Sequence, residues 1–197
     1  MKSCVVAITG ASGSIYGLRL VEELLKCVDT VHLCISSQSF FIIRTETGVE
    51  WSGETASDIE KNIRNHYSST NINYYDNSNM AAPVSSGSFH TDAMFVVPCS
   101  MKSLSGIASG YASNLIARAA DVTLKEGRKL VIAPREMPFN AIHLENMLKL
   151  SRAGAIIAPP IPAYYQKPRD INDIVNFVIG KILDTAGINH NLFKRWE

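Results

Sequence analysis

Two segments of this 197-residue chain end apolar runs on small and hydroxylated residues: Thr9-Gly10-Ala11-Ser12-Gly13 and Pro98-Cys99-Ser100-Met101-Lys102-Ser103. A third apolar run stops at Pro134-Arg135-Glu136. Hydroxyls and backbone amides offered where a strand hands over to a helix suit a phosphorylated ligand. Three such ends on one parallel sheet would line a shared pocket at its carboxyl edge.

Each motif also has a plainer reading. Gly10-Ala-Ser-Gly13-Ser-Ile-Tyr-Gly17 follows an apolar run and opens a helical pattern. It is not GxGxxG, whose second glycine would fall at Ser12, and it lacks the short-chain dehydrogenase spacing, which requires glycine at Ser14. Either it is a tight turn that lets strand and helix pack closely, or the Ser12 hydroxyl and the helix N-terminus bind a phosphate. The phosphate reading is the stronger. Ser100 and Ser103 are either helix caps or donors to a flat polar ligand such as an isoalloxazine ring. Ser100 lacks the GxSxG elbow of a hydrolase nucleophile.

Arg118 and Lys125 stand about two turns apart on one predicted helix and share a face. They read as solvated charges or as part of a site. Arg135-Glu136, between a buried strand and Pro138, is harder to place as surface decoration and reads as a site pair. Tyr164-Tyr165 follow Pro159-Pro160-Ile-Pro162, a scaffold that fixes direction at little entropic cost; ordinary packing is the alternative. The five histidines form no HxxxH-type pair, and no metal site is expected.

Alternating strands and helices must position these residues. Strands are expected over 3–8, 31–35, 94–98, 130–133 and 155–157, all short apolar runs typical of strands covered on both faces. Helical spacing recurs at Ile15–Leu25, Phe40–Glu46, Leu104–Ser109, Asn114–Glu126 and Ile171–Ala186. Asn140 can cap a helix whose Leu144, Met147 and Leu148 lie on one face and which Gly154 closes. Residues from about 50 to 80 are Asn/Ser-rich and read as an excursion with one helix near Ile59–His66 and otherwise loop. The pattern implies a single α/β domain over 1–197, a three-layer Rossmann-like or flavodoxin-like parallel sheet with helices on both faces. Phe193 and Trp196 in the tail pack either on a neighbouring subunit or back on their own.

Composition narrows the class. Apolar content of 46% and charged content of 19% are those of an ordinary globular enzyme. A net charge of +1 gives no electrostatic case for nucleic acid or an anionic membrane surface as partner. Apolar runs are too short or too proline-broken to span a bilayer, and no signal-peptide layout opens the chain. Cys4, Cys27 and Cys34 lie in apolar contexts and read as buried free thiols rather than disulfides, in keeping with a cytoplasmic setting.

In order along nearly the whole chain outside 50–80, these segments resemble the UbiX-type flavin prenyltransferases of the flavoprotein-decarboxylase-like superfamily. The resemblance rests on Ile8–Gly17, Ser85–Phe89, Pro98–Ile107, Arg118–Val122, Leu124–Glu126, Pro134–Glu136, His143–Met147, Pro159–Tyr165 and Asn191–Trp196. It implies transfer of a dimethylallyl group from dimethylallyl phosphate to N5 and C6 of reduced FMN, without metal. The product would be prenylated FMN, destined for a partner UbiD-type decarboxylase. It implies a homo-oligomer, often a dodecamer.

By the same resemblance, Gly10, Ala11, Ser12, Ser36, Ser100, Met101, Lys102, Ser103 and Arg135 would hold FMN. Ser85, Ser86 and Gly87 would line the prenyl site. Arg118, Lys125, Glu136, Tyr165 and Lys181 would surround dimethylallyl phosphate, with lysine at 181 where the family usually has arginine. Ser100 and Glu136 are proposed as a proton relay. Two rivals stand beside this reading: an FMN-dependent cysteine-type decarboxylase, and a non-catalytic flavin-binding subunit.

Overall fold

The computed structural model describes residues 2–195. In chain order its first elements are β1 (Ser3–Ile8), α1 (Ser14–Leu24), β2 (Thr30–Ile35), α2 (Ser37–Thr47), α3 (Ala56–Tyr67), β3 (Ile72–Asp76) and β4 (Ala93–Cys99). There follow α4 (Met101–Ser109), α5 (Leu115–Lys125), β5 (Lys129–Pro134), α6 (Ala141–Arg152), β6 (Ile156–Ile157) and α7 (Ile171–Ala186).

The strands form one six-stranded sheet in the order β3-β2-β1-β4-β5-β6, and every pairing is parallel. Strand order reverses direction at β1, which pairs with β2 on one side and β4 on the other. That switch point opens a crevice at the carboxyl ends of the strands. The β1, β2, β4 and β5 runs are buried almost end to end, as both faces of the sheet are covered. One core joins Leu20 and Leu24 of α1, Ile63 of α3 and Ile182 of α7 to the sheet. The other joins Leu104 of α4, Leu115 of α5 and Leu150 of α6. The expected three-layer α/β architecture is present.

Three expectations are corrected, and one open alternative is decided. Residues 72–76 form a strand, β3, inside the stretch read as loop. It is an edge strand of Asn and Tyr, whose burial alternates, so its signal lies in pairing with β2 rather than in apolarity. Cys27 is exposed, whereas Cys4, Cys34 and Cys99 are buried free thiols. On α6, Met147 packs on the core, but Leu144 and Leu148 are 53% and 50% exposed. Phe193 folds back on its own chain, against Phe177; Trp196 lies outside the described residues.

Candidate active site at the carboxyl edge of the sheet

Thr9, just past β1, organises the crevice. It is buried, donates its hydroxyl to Pro98 O at 2.9 Å, and accepts the Ser100 amide at 2.7 Å. The ends of β1 and β4 are thereby tied together. Ser100 then caps α4, its Oγ accepting the Ser103 amide at 3.3 Å and lying 3.1 Å from the Ser103 hydroxyl. From β2, Ser36 starts α2, with its Oγ 2.8 Å from Ser39 Oγ.

These ends line a cleft of about 290 Å³, with Gly10, Ser36, Ser100, Lys102 and Ser103 on its wall. Gly10 keeps the wall thin, since a Cβ there would come 3.2 Å from Gln38 Cβ. Sequence reasoning missed Gln38, Asn77, Asn114 and Ile116, which also line the cleft. Asn77 Oδ1 accepts the Ile116 amide and Asn114 Oδ1 accepts the Ala117 amide. Both side-chain NH2 groups therefore remain as donors in the cleft. Asn114 was legible only as the start of a helical pattern; Asn77 was hidden by the unread β3. Met101 differs from its neighbours, for its side chain packs on the core and leaves only its backbone to the site.

The N-terminus of α1 is occupied from within. Glu46 of α2 accepts the Gly13 and Ser14 amides at 3.0 and 2.8 Å and the Ser14 hydroxyl at 2.7 Å. Burial pulls its carboxyl upward, but hydrogen bonds from Ser12, Ser14 and Gly13 outweigh that and hold it below the ordinary glutamate value. The anion expected at this helix end is thus a protein carboxylate. Ala11 is buried and Ser12 is exposed beside it, where Ser12 O accepts Arg135 Nε at 2.9 Å. Arg135 follows β5, and its amide bonds Cys99 O at 3.0 Å, so the β4 and β5 ends are also joined. Glu136 comes next, exposed, with Oε1 accepting the Met137 amide at 3.0 Å.

A second group gathers on α5. Arg118 donates Nε to Ser85 O at 3.1 Å and Nη1 to Asp121 at 2.6 Å. Lys125 pairs with Glu126, and Gly87 runs so close that a Cβ there would lie 2.7 Å from Lys125 Nζ. Arg128 pins this loop by donating to Gly87 O at 2.7 Å and Phe89 O at 2.9 Å. Ser86 is exposed, with its hydroxyl 2.8 Å from that of Ser88. Asn114 caps α5 in the cleft, so Lys125 stands roughly 16 Å further along the helix axis, near the start of β5.

A third group lies on α7. Tyr165, in the turn Tyr164–Gln166, meets Phe177 edge-on at 5.8 Å. Lys181 is one turn beyond Phe177, 58% exposed and 3.8 Å from Asp184. Within one chain, then, Gly10, Ser36, Ser100, Lys102 and Ser103 of the expected flavin residues line the cleft, whereas Ala11, Ser12, Met101 and Arg135 do not. Of the expected phosphate residues, Arg118 and Lys125 stand on α5, Tyr165 and Lys181 on or against α7, and Glu136 past β5. Among the described residues no group of three or more His, Cys, Asp or Glu is arranged to hold a metal.

The profile of the Flavoprotein family matches residues 1–183, and the chain belongs to that family. Flavin prenyltransferase UbiX of Methanocaldococcus jannaschii is 53% identical over 192 residues, 98% of this chain and 97% of that one. The dodecameric FMN-dependent UbiX-like decarboxylase of Escherichia coli O157:H7 has a TM-score of 0.87 and 43% identity over 99% of both chains. AnUbiX (PadA1), in complex with FMN and dimethylallyl pyrophosphate, has a TM-score of 0.87 at 41% identity, over 100% of this chain and 97% of that chain. Within the flavoproteins, the chain belongs to the UbiX flavin prenyltransferases. The likeness to EpiD of Staphylococcus aureus, at 19% identity and a TM-score of 0.58, is one of fold alone.

Proposed function

We propose that this chain is a flavin prenyltransferase, moving the dimethylallyl group of dimethylallyl phosphate onto N5 and C6 of reduced FMN. One observation carries the reading: its carboxyl-edge cleft presents hydroxyl and amide donors, in a fold shared at 41% identity with a protein that holds FMN and dimethylallyl pyrophosphate. The cleft suits FMN on its own chemistry. Ser36, Ser100 and Ser103 hydroxyls and two Asn NH2 groups line it beside the Lys102 ammonium, which has no partner among the described residues. When bound, reduced FMN supplies the nucleophilic N5 and C6 between which the five-carbon unit closes a ring.

The residues of the chain act on the other reactant. Breaking the allylic C–O bond sends its electron pair to the departing phosphate. Arg118, Lys125 and Lys181, with the Tyr165 hydroxyl, neutralise that charge, and Ser85, Ser86 and Gly87 hold the prenyl chain. Arg135 donates Nε to Ser12 O and so ties the end of β5 to the turn after β1. Ring closure releases a proton from C6, which Ser100 Oγ and the Glu136 carboxylate carry away.

The dispersal of Arg118, Lys125 and Lys181 in one chain supports a site completed by neighbouring copies. Exposed Leu144 and Leu148, one turn apart on α6, offer an apolar stripe for such contacts. We infer a dodecamer, like that of the E. coli relative, whose mass by light scattering would be that of twelve 21.6 kDa chains. The whole chain acts as one flavoprotein domain, placed in the cytoplasm and supplying prenylated FMN to a UbiD-type decarboxylase. No helix among the described residues is long and apolar enough to cross a membrane.

The deciding experiment is anaerobic incubation with reduced FMN and dimethylallyl phosphate, followed by the mass of the extracted flavin. Gain of one C5H8 unit is expected. Bound but unmodified FMN would overturn the prenyl-transfer reading.

A further inference from the structure

The turn Tyr164–Gln166, helix α7 and the segment after it form one interlocked unit. The Phe177 ring meets Tyr165 edge-on at 88° and meets Phe193 at 5.1 Å between centroids. Gln166 Nε2 donates to Lys194 O at 3.1 Å, tying the same turn to the same segment. Arg195 fastens the segment to α7, its two Nη atoms reaching the Asp184 carboxylate at 3.1 and 2.8 Å. Its guanidinium carbon also lies 5.5 Å from the centre of the Phe193 ring. His190, with a side chain 2% exposed, reaches Asp184 Oδ1 at 3.2 Å and packs on Phe193. Gly180 provides the seat, since a Cβ there would come within 2.5 Å of both His190 Cε1 and Phe193 Cε1.

We propose that Phe193, latched by the Asp184–Arg195 pair, is a positioning residue for Tyr165. The inference rests on the reading of Tyr165 as a ligand of the departing phosphate. Tyr165 is 60% exposed on a three-residue turn, too short to orient a side chain by its own backbone hydrogen bonds. Edge-to-face aromatic packing is directional. Phe177 can aim the Tyr165 ring only while its own ring is fixed, and Phe193 fixes it from a further side. A hydroxyl that must meet charge developing on a leaving oxygen loses rate steeply when displaced by an ångström.

A double-mutant cycle with Phe193→Ala and Tyr165→Phe tests this, read as kcat/KM for dimethylallyl phosphate at saturating reduced FMN. Phe193→Ala should lower kcat/KM about tenfold in the parent protein, the size expected for a small misplacement, and less than about twofold in the Tyr165→Phe background. Phe193→Tyr should restore the parent value. Gly180→Ala, which unseats the segment without altering it, should give the same tenfold loss and the same dependence on Tyr165, and stands in for Phe193→Ala where that variant folds poorly. Both variants should also speed tryptic cleavage after Arg169, reporting the loosened turn without any ligand. An equal effect of Phe193→Ala in both backgrounds, or unchanged cleavage, would overturn the positioning role alone. Parental kcat/KM for Tyr165→Phe itself would overturn the reading of Tyr165, and the proposal with it.

Discussion

The Thr9 hydroxyl sits between two backbone groups of the β4 end, accepting the Ser100 amide at 2.7 Å while donating to Pro98 O at 2.9 Å. A buried side chain just past β1 thus decides where the cap of α4 begins, and with it the wall of the cleft. Thr9→Val keeps the shape but leaves the Ser100 amide without its partner, while Pro98 O keeps the Thr9 amide, at a cost of about 1–3 kcal/mol. For a chain of this size, a midpoint lower by roughly 4–8 °C corresponds to about 2 kcal/mol. FMN affinity should fall with it, and Thr9→Ser should retain both. Calorimetry and flavin titration check this; an unchanged midpoint in Thr9→Val would remove Thr9 from its bracing role.

The Glu46 carboxylate at the start of α1 makes stability depend on pH. Its folded value lies below the ordinary one. Its contribution is therefore fully present above the ordinary glutamate range and is lost as pH falls through the depressed value. Glu46→Gln should cost about 0.5–1 kcal/mol at neutral pH, a small figure because the group is largely solvent-screened. Thermal midpoints of parent and variant should converge on acidification. A gap that stays constant from neutral pH into the acid range would contradict the charge-based account.

Glu136 stands past the end of β5, paired only with its neighbour's amide among the described residues. Glu136→Gln should bind FMN with parental affinity, because the cleft wall at Ser36, Ser100 and Ser103 is untouched. Prenyl transfer should slow by about 10²-fold or more, the usual effect of losing a proton-transfer group. Single-turnover mass analysis of the flavin provides the check, and parental turnover would sink the relay.

Arg118 holds Ser85 O with Nε and Asp121 with Nη1, which leaves Nη2 for an anion. A lysine ammonium lacks the planar, spread donors with which the guanidinium reaches both partners and still points one outward. Arg118→Lys should raise KM for dimethylallyl phosphate by about tenfold, equivalent to roughly 1.4 kcal/mol, with FMN affinity unchanged. A variant that weakens FMN instead would place Arg118 in the flavin cleft rather than the phosphate site.

Much of this architecture was legible because buried parallel strands are short, continuous and apolar. The expected β1 and α7 coincide with the observed Ser3–Ile8 and Ile171–Ala186. β3 was hidden because Ile72-Asn-Tyr-Tyr-Asp76 is stabilised by its ladder to β2 and by one buried face, neither of which is a local property. Gln38 and Asn77 escaped notice for a similar reason: nothing in their own neighbourhoods marks them as wall residues of a cleft.

The sequence by itself determined the alternation of strand and helix, the carboxyl-edge hydroxyls at Ser36, Ser100 and Ser103, and membership of the flavoproteins through ordered motifs. These follow from local periodicity and from residue types that only certain turns accept. Tertiary structure alone decided that Glu46, not a ligand, caps α1, and that Thr9 reaches across to Ser100. It also decided that Lys125 and Lys181 stand apart from the cleft within one chain. Each of those outcomes depends on which side chain arrives in space at an unsatisfied backbone group, and residues distant in the chain compete for that place.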